Sequence, residues 1–266
     1  MKGLKKIALI AAIAAAPFAA QAELKTLDDT TMGSLTGQAG VTIELETKVS
    51  IGEFKYTDQG SLSVKGITIG GGTVERAADN SVTGVSGKLD DVYVDIDVLA
   101  DGDATIVLHS ISGAPIDFAV GVQSAELLGS TDSTLLASNI GIEGNLAALS
   151  LTVDTTTDSL NAVVAFSITD LDMDVDFLAV GIRNLTVHGA GFSGGASAAN
   201  MFAVANVTMS KDARLHGTGD ALKVVVGTFA ADVAIGDVLI GGTSIGSVAI
   251  NNLVISDTTM RVYGHD

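Results

Sequence analysis

Apolar and polar residues alternate with a period of two along most of the chain. Because successive side chains of a β-strand point to opposite faces, this period predicts strands with one face turned inward. Turn-forming residues separate the segments at 57–61, 100–104, 155–159 and 211–220. The pattern therefore predicts an all-β fold with strands at 41–56, 61–70, 91–100, 104–111, 146–154, 162–177 and 221–235.

A short motif recurs among these strands. VGVQSAEL (120–127), VGIRNLTV (180–187) and VAINNLVI (248–255) share a succession of aliphatic and polar positions, at spacings of roughly 60 and 68 residues. These spacings indicate about four similar units, the first at 41–90, within a single all-β domain at 23–266. We expect an elongated repeat architecture, either a β-solenoid or a long twisted antiparallel meander. Helix candidates are confined to a short amino-terminal segment at 27–35 and to 196–205.

The amino-terminal residues have the three parts of a secretory signal peptide. Lys2, Lys5 and Lys6 precede an apolar run at 7–16, and small residues at 20–22 suit a cleavage site before Glu23. We therefore predict a signal peptide at 1–22 and an exported chain in the periplasm, the outer membrane or at the cell surface. After residue 22, no stretch reaches the roughly 18 apolar residues typical of a membrane helix.

Composition narrows the classes of function. Removing the three leader lysines takes the 14 basic residues to 11 against 31 acidic, a net charge of −20, which excludes nucleic acid as the expected partner. With no cysteine, the chain has no disulfides or thiolate sites. Aromatic residues make up only 4% although 47% of residues are hydrophobic and mean hydropathy is +0.46. The apolar residues are mostly small and aliphatic, and the chain has only two prolines to interrupt strand pairing, which indicates continuous strand ladders. We expect neither enzymatic activity nor a cofactor.

Four aspartates are the best candidates for a metal site. Asp170, Asp172, Asp174 and Asp176 alternate with apolar residues, so a strand would carry all four on one face. Hard cations such as Ca²⁺ prefer several oxygen ligands, which makes the row a weak calcium candidate. No calcium-loop motif accompanies it, and the favoured interpretation is a solvated, charged strand face that discourages aggregation.

The segment GAGFSGG at 189–195 matches two known sequence patterns, but its context supports neither. Gly189, Gly191 and Gly194 fit the spacing of a dinucleotide loop, and Ser193 lies at the nucleophile position of G-x-S-x-G. Both sites need strand–helix units that this sequence does not predict. The segment is therefore interpreted as a glycine-rich turn between strands.

The stretch LDDTTMGSLTGQAG (27–40), with a strand directly after it, carries a family resemblance. Leu35, Gly37, Gln38, Ala39 and Gly40 form an L-x-G-Q-A-G signature. It resembles the amino terminus of an uncharacterised family of exported Gram-negative proteins, some labelled as putative pilus-system (Fil-type) proteins. The resemblance covers about 50 residues there and the closing segment at 250–265. It implies a surface role but no specific activity.

These observations lead to two hypotheses about function. The first is a structural or adhesive protein of the cell envelope or surface, such as a subunit or accessory of a pilus-like appendage, with itself or other envelope proteins as partners. The alternative is an envelope binding protein with an apolar β-groove for a lipid or acyl chain.

Overall fold

The protein is described by a computed structural model, which covers residues 40–194 and 200–264. The all-β prediction is confirmed: fourteen strands form one sheet and two more form a separate hairpin. The strands are β1 Val41–Thr47, β2 Val49–Thr57, β3 Ser61–Gly70, β4 Val74–Arg76, β5 Val82–Val85, β6 Leu89–Val98, β7 Ala104–Ser110, β8 Ile116–Leu128, β9 Ser133–Asp154, β10 Ser159–Val175, β11 Val180–Gly189, β12 Ala203–Ala213, β13 Asp220–Val226, β14 Phe229–Ile240, β15 Thr243–Ile255 and β16 Thr258–Val262.

The strands of the sheet join end to end into eight long runs. Most runs contain two strands with a short break between them, and only β9 and β10 cross the sheet without one. The runs are run 1 (41–57), run 2 (61–98), run 3 (104–128), run 4 (133–154), run 5 (159–175), run 6 (180–213), run 7 (220–240) and run 8 (243–262).

Each run pairs antiparallel with the next run along the chain, from run 1 to run 8. Tight turns can join such runs because antiparallel neighbours need no crossover connection. Of the two architectures left open by the sequence, the antiparallel meander is therefore the one observed. The predicted turns between strands at 57–61, 100–104, 155–159 and 211–220 all fall between consecutive runs.

A line of breaks divides the sheet into two halves. Half A contains β2, β3, β8, the start of β9, the end of β10, β11, β14 and β15; half B contains β1, β6, β7, the rest of β9 and β10, β12, β13 and β16. In the two unbroken strands the line is marked by register shifts beside Phe166 and Ile168. Each shift inserts one residue, so the alternation changes phase while apolar side chains stay on one face.

The longest break lies in run 2 and contains the β4–β5 hairpin. This segment, residues 71–88, is called the flap; it contacts β3, β8 and β9 of half A. Gly121 and Gly141 lie opposite each other below it. A Cβ on Gly121 would lie 2.8 Å from a methyl of Val82, and one on Gly141 would lie 3.1 Å from a methyl of Val74. The two glycines therefore allow the flap to approach the sheet.

The helix predicted at 196–205 is wrong where the structure describes it. Asn200 to Phe202 form a turn and bend, and Ala203 to Ala205 begin β12. Ala203 is fully buried and pairs with Phe166, whose ring stacks with that of Phe229 at 6.4 Å. Small side chains fit below this aromatic pair, so packing across strands outweighs the helix preference of alanine. The helix expected at 27–35, the signal peptide at 1–22 and most of the L-x-G-Q-A-G signature lie outside the described residues.

Few apolar side chains are fully buried. Among the described residues, the buried apolar set is Val82, Val85, Val92, Ile116, Ala119, Ala203, Ala221 and Ala231. No helix in residues 40–194 and 200–264 has the length and hydropathy needed to cross a membrane. The three copies of the repeated motif lie in runs 3, 6 and 8. The four-unit repeat itself stays a prediction.

Candidate interaction surfaces

Three of the four predicted aspartates lie on one face of run 5, as the alternation indicates. Asp170, Asp172 and Asp174 belong to β10, whereas Asp176 begins the short 3-10 helix Asp176–Leu178 that follows it. The predicted row is thus shortened by one residue, because the chain turns before Asp176 can join the strand.

Two arginines bind this row. The Arg76 guanidinium of the flap lies 3.8 Å from a carboxylate oxygen of Asp172, and that of Arg183 lies 2.5 Å from Asp174. Asn139 also donates a hydrogen bond to Asp174 at 3.1 Å. Burial raises the pKa of Asp174, but the bonds from Arg183 and Asn139 outweigh it, and the pKa is lower than usual. These carboxylates are therefore engaged in ion pairs within the protein.

The surroundings of the Asp170 side chain differ from those of Asp172 and Asp174. Its Oδ1 is buried, and no described residue donates a hydrogen bond to it. Burial, followed by the negative charges of Asp172 and Glu143, raises the pKa of Asp170 above its ordinary value of 3.8, and the charge of Arg76 only partly opposes this. The surroundings of Asp170 thus disfavour its ionised form.

The same face holds the flap through polar contacts. Glu143 accepts a hydrogen bond from the Val74 backbone N–H at 2.7 Å, and Asp117 accepts one from Gly72 at 2.5 Å. Arg76 also donates to the backbone carbonyl of Asn139 at 3.2 Å. Acidic side chains of the sheet thus act as acceptors for flap donors. Within the part of the chain that the structure describes, no three or more His, Asp or Glu side chains are grouped to hold a metal ion.

The opposite face of the sheet is apolar, and cross-strand pairing shows that it is continuous. One row crosses all eight runs of half B. It consists of Val41, Ile96, Ile106, Leu151, Ala162, Val207, Val226 and Thr258. A second row consists of Val98, Ala104, Val153, Leu160, Met209, Val224 and Met260. Directly opposed residues lie on the same face, so these rows form an aliphatic surface.

Rows of the other face of half B are polar. One of them consists of Asp97, Thr105, Thr152, Asn161, Thr208, Val225 and Thr259. Within it, Thr208 donates a hydrogen bond to Asn161 at 2.7 Å. Half B is therefore amphipathic, and its two sides are called the polar face and the apolar face.

Many apolar side chains remain accessible. On the apolar face of half B the exposed fraction is 37% for Ile106, 45% for Val153, 49% for Met260 and 69% for Val98. Contiguous exposed apolar patches on monomeric proteins rarely exceed a few hundred Å² and mark interaction sites when they do. The apolar face is therefore the strongest candidate for a functional surface.

Runs 1 and 8 form the edges of the sheet. Among residues 40–194 and 200–264, each has a strand partner on one side only. The β15 part of run 8, TSIGSVAINNLVI, has 13 residues without a charge or a proline. Run 1 carries charges, including Glu53 and Lys55. The β15 edge lacks the charges and prolines that often prevent strand addition, and its pairing with β14 contains register shifts.

The glycine-rich segment interrupts run 6 as the predicted turn. Gly189 ends β11, and Ser193 is exposed in the turn that follows, while Gly195 lies outside the described residues. Asp232 accepts hydrogen bonds from the backbone N–H groups of Gly191 and Phe192 at 2.9 and 3.0 Å. No helix follows Ser193 in the described residues.

The sequence analysis missed both arginine partners of the aspartate row. Arg76 and Asp172 are 96 positions apart in the chain, so no local motif connects them. Arg183, in contrast, lies nine residues after Asp174, and the turn at 176–179 brings the two strands together. Recognition of that turn is the signal that could have predicted the second ion pair.

Comparison with protein families finds one match. A family of unknown function, DUF6160, matches residues 1–100. Comparisons with curated proteins and with solved structures gave no significant match. The matched range includes all of run 1 and all of run 2 with its flap, so the similarity extends beyond the amino-terminal segment into the sheet.

Proposed function

We propose that the chain is an exported structural or adhesive protein of the cell envelope or surface that works in assemblies, such as a subunit or accessory of a pilus-like appendage. The observation that supports this best is an even-numbered antiparallel meander whose two edges have no outer strand partner among residues 40–194 and 200–264. A protein with such edges is suited to extension by further strands.

The even number of runs has a geometric consequence. Run 1 and run 8 point in opposite directions because each run reverses the previous one. A second copy related by translation therefore presents its run 1 antiparallel to run 8 of the first copy. The alternation of strand direction continues, and the apolar faces of both copies stay on one side. Such a head-to-tail contact does not close and generates filaments.

The chemistry of the edges supports the same function. Natural sheets usually protect exposed edges with charges, prolines or bulges. The 13 residues of β15 contain neither charges nor prolines, and between the register shifts of its pairing with β14 residues 248–250 keep a regular register. The backbone groups on the outer side of β15 are thus available to a partner strand.

Light scattering during size-exclusion chromatography, with electron microscopy of the same fractions, tests this proposal. Residues 23–266 in detergent-free buffer should form concentration-dependent oligomers or filaments. A monomer at all concentrations would contradict the proposal.

Val248→Pro and Ala249→Pro provide a matched pair of edge variants. Adjacent residues direct their N–H groups to opposite sides of a strand, so one proline removes an outer donor and the other breaks the ladder with run 7. The variant that keeps the wild-type circular dichroism spectrum should lose filaments. If it assembles normally, edge pairing is not the mode of assembly.

A hollow in half B favours a second candidate, the binding of an acyl chain. Its volume is about 490 Å³, and Leu160, Met209 and Leu222 line it together with Lys211. The Lys211 ammonium is already 2.7 Å from Asp220, which leaves it less able to bind a lipid headgroup. Mass spectrometry of an organic extract of the purified chain tests this function, and a stoichiometric lipid would support it.

A further inference from the structure

We propose that the apolar face of half B binds the same face of a second copy, so that two sheets form a two-layer sandwich. This inference rests on the proposed assembly function and names the surface and the partner. It concerns the faces of the sheet, whereas filament growth concerns its edges. The two contacts can therefore form independently.

The area of the face is sufficient for a stable pair. Eight strands at about 4.8 Å spacing, each contributing about seven residues at about 3.3 Å, give a face of roughly 900 Å² in half B. A specific protein interface buries about 800 Å² per partner. Half B alone therefore offers the area of a complete interface.

The composition of the face resembles the inner side of a sandwich. Side chains such as Ile106 and Leu151 stand beside smaller ones such as Ala104 and Ala162 in directly paired rows. Large and small side chains of two packed sheets interdigitate at a separation of about 10 Å. A second copy supplies such a layer, and a single copy buries only eight apolar side chains among the described residues.

Charge favours a second copy over a membrane surface. The exported chain has 11 basic and 31 acidic residues, so an anionic lipid surface would repel it. In a face-to-face pair, the polar faces point away from each other. The carboxylates of Asp97 on both copies then remain in water, and a two-fold axis makes the contact closed.

Ile106 and Val163 provide a matched pair for the test. Both are β-branched residues in inner runs, with exposed fractions of 37% and 38%. Ile106 pairs with Ile96 and Leu151 on the apolar face, whereas Val163 pairs with Ser150 and Asn206 on the polar face. A substitution at either site meets similar solvent exposure in the single copy.

Sedimentation velocity should show residues 23–266 as a dimer or a multiple of it in detergent-free buffer. Ile106→Glu should raise the dissociation constant of the pair at least about 100-fold, because an unpaired carboxylate would be buried at the contact. Val163→Glu should leave it unchanged. Equal dissociation constants for the two variants would overturn the proposal.

A cysteine pair keeps the test valid if Ile106→Glu does not fold. The chain has no cysteine, so Ile106→Cys and Val163→Cys each introduce a unique thiol. A short bis-maleimide should join two copies of Ile106→Cys several times more efficiently than two copies of Val163→Cys. Equal yields would overturn the face contact.

The edge variants separate the two proposals. If the tolerated proline variant in β15 loses filaments but stays dimeric, both the face contact and edge assembly are supported. If edge variants abolish all association and Ile106→Glu has no effect, the face contact is overturned and the proposed function stands. A monomer with a stoichiometric lipid overturns both.

Discussion

Side chains on the two faces of the sheet differ in how they find interaction partners. On the polar face of half A, Asp172 and Asp174 bind arginines, and the flap covers Gly121 and Gly141. On the apolar face of half B, residues such as Ile106 and Val153 pair with neighbours in the row but remain partly exposed. Asp172 and Asp174 on the polar face thus have partners within one chain, while the apolar face has surface left for a partner. The variants below change one face at a time.

The largest effect is expected at the centre of the apolar face. Ile116 is 1% exposed and pairs with Leu146, which in turn pairs with Phe166. Ile116→Ala should lower the free energy of unfolding by about 3 kcal/mol because it leaves a cavity in a thin core. Val163→Ala, on the polar face, should change it by less than about 0.5 kcal/mol. Urea unfolding at one fixed protein concentration measures both, and equal losses would contradict the contrast.

The flap should depend on the glycines below it. Gly121→Val should lower the free energy of unfolding by about 2 kcal/mol, because its Cβ would lie 2.8 Å from both Thr68 Oγ1 and a Val82 methyl. Gly52→Val in β2 is the control, since no atom lies within 4 Å of a Cβ there. Hydrogen exchange should show faster exchange in residues 71–88 for the Gly121 variant only. Unchanged exchange would show that the glycine is not needed for flap docking.

Two neighbouring aspartates should respond in opposite directions. Asp170→Asn should raise the free energy of unfolding by about 1 kcal/mol at pH 7, because it removes a negative charge that burial and the charges of Asp172 and Glu143 disfavour. Asp172→Asn should lower it by about 1 kcal/mol through the weakened ion pair with Arg76. Thermal unfolding of the two variants in the same buffer measures the difference, and a shared sign would refute it.

The pH dependence of the free energy of unfolding provides a second test of the prediction for Asp170→Asn. The pKa of Asp170 is raised in the folded protein, so the folded state binds this proton more tightly than the unfolded state. Its ionisation therefore lowers stability as pH rises through the folded pKa. The advantage of Asp170→Asn should be largest at neutral pH and disappear as pH falls towards 3.8. An advantage independent of pH would exclude this mechanism.

The smallest effect is expected at His109 in the polar face of half B. Its Nε2 lies 2.8 Å from Asp95, and the hydrogen bond to Asp95, followed by that to the Ser110 carbonyl, raises the pKa of His109 above 6.5. The resulting stabilisation is fully present below pH 6.5 and is lost as pH rises through the folded pKa. Asp95→Asn should lower the pKa of His109 in an NMR titration. The same titration midpoint in both proteins would contradict this pairing.

The alternation of residues predicted most of the runs because each strand has one apolar and one polar side. It could not predict the breaks, since the shifts beside Phe166 and Ile168 depend on the neighbouring strand. The flap was missed for a related reason: its three- and four-residue strands, β4 and β5, are too short for a period to appear.

The aspartate row was predicted as a face, but its partners were not. Alternation placed Asp170, Asp172 and Asp174 on one face, because every second residue of a strand lies on the same side. Their bonding depends on Arg76, which the flap brings from a distant part of the chain. The apolar face could have been inferred from the same alternation, because a single sheet built from amphipathic strands has one apolar face.

The first and last residues that the structure describes, Gly40 and Gly264, lie at the same end of the sheet. Run 1 begins and run 8 ends in half B, so both residues lie at the half B end of the sheet. The turns between runs 1 and 2, 3 and 4, 5 and 6, and 7 and 8 lie at the half A end. If either chain end is attached to a surface, these four turns point outward. Loop residues there can vary for display without disturbing the attachment.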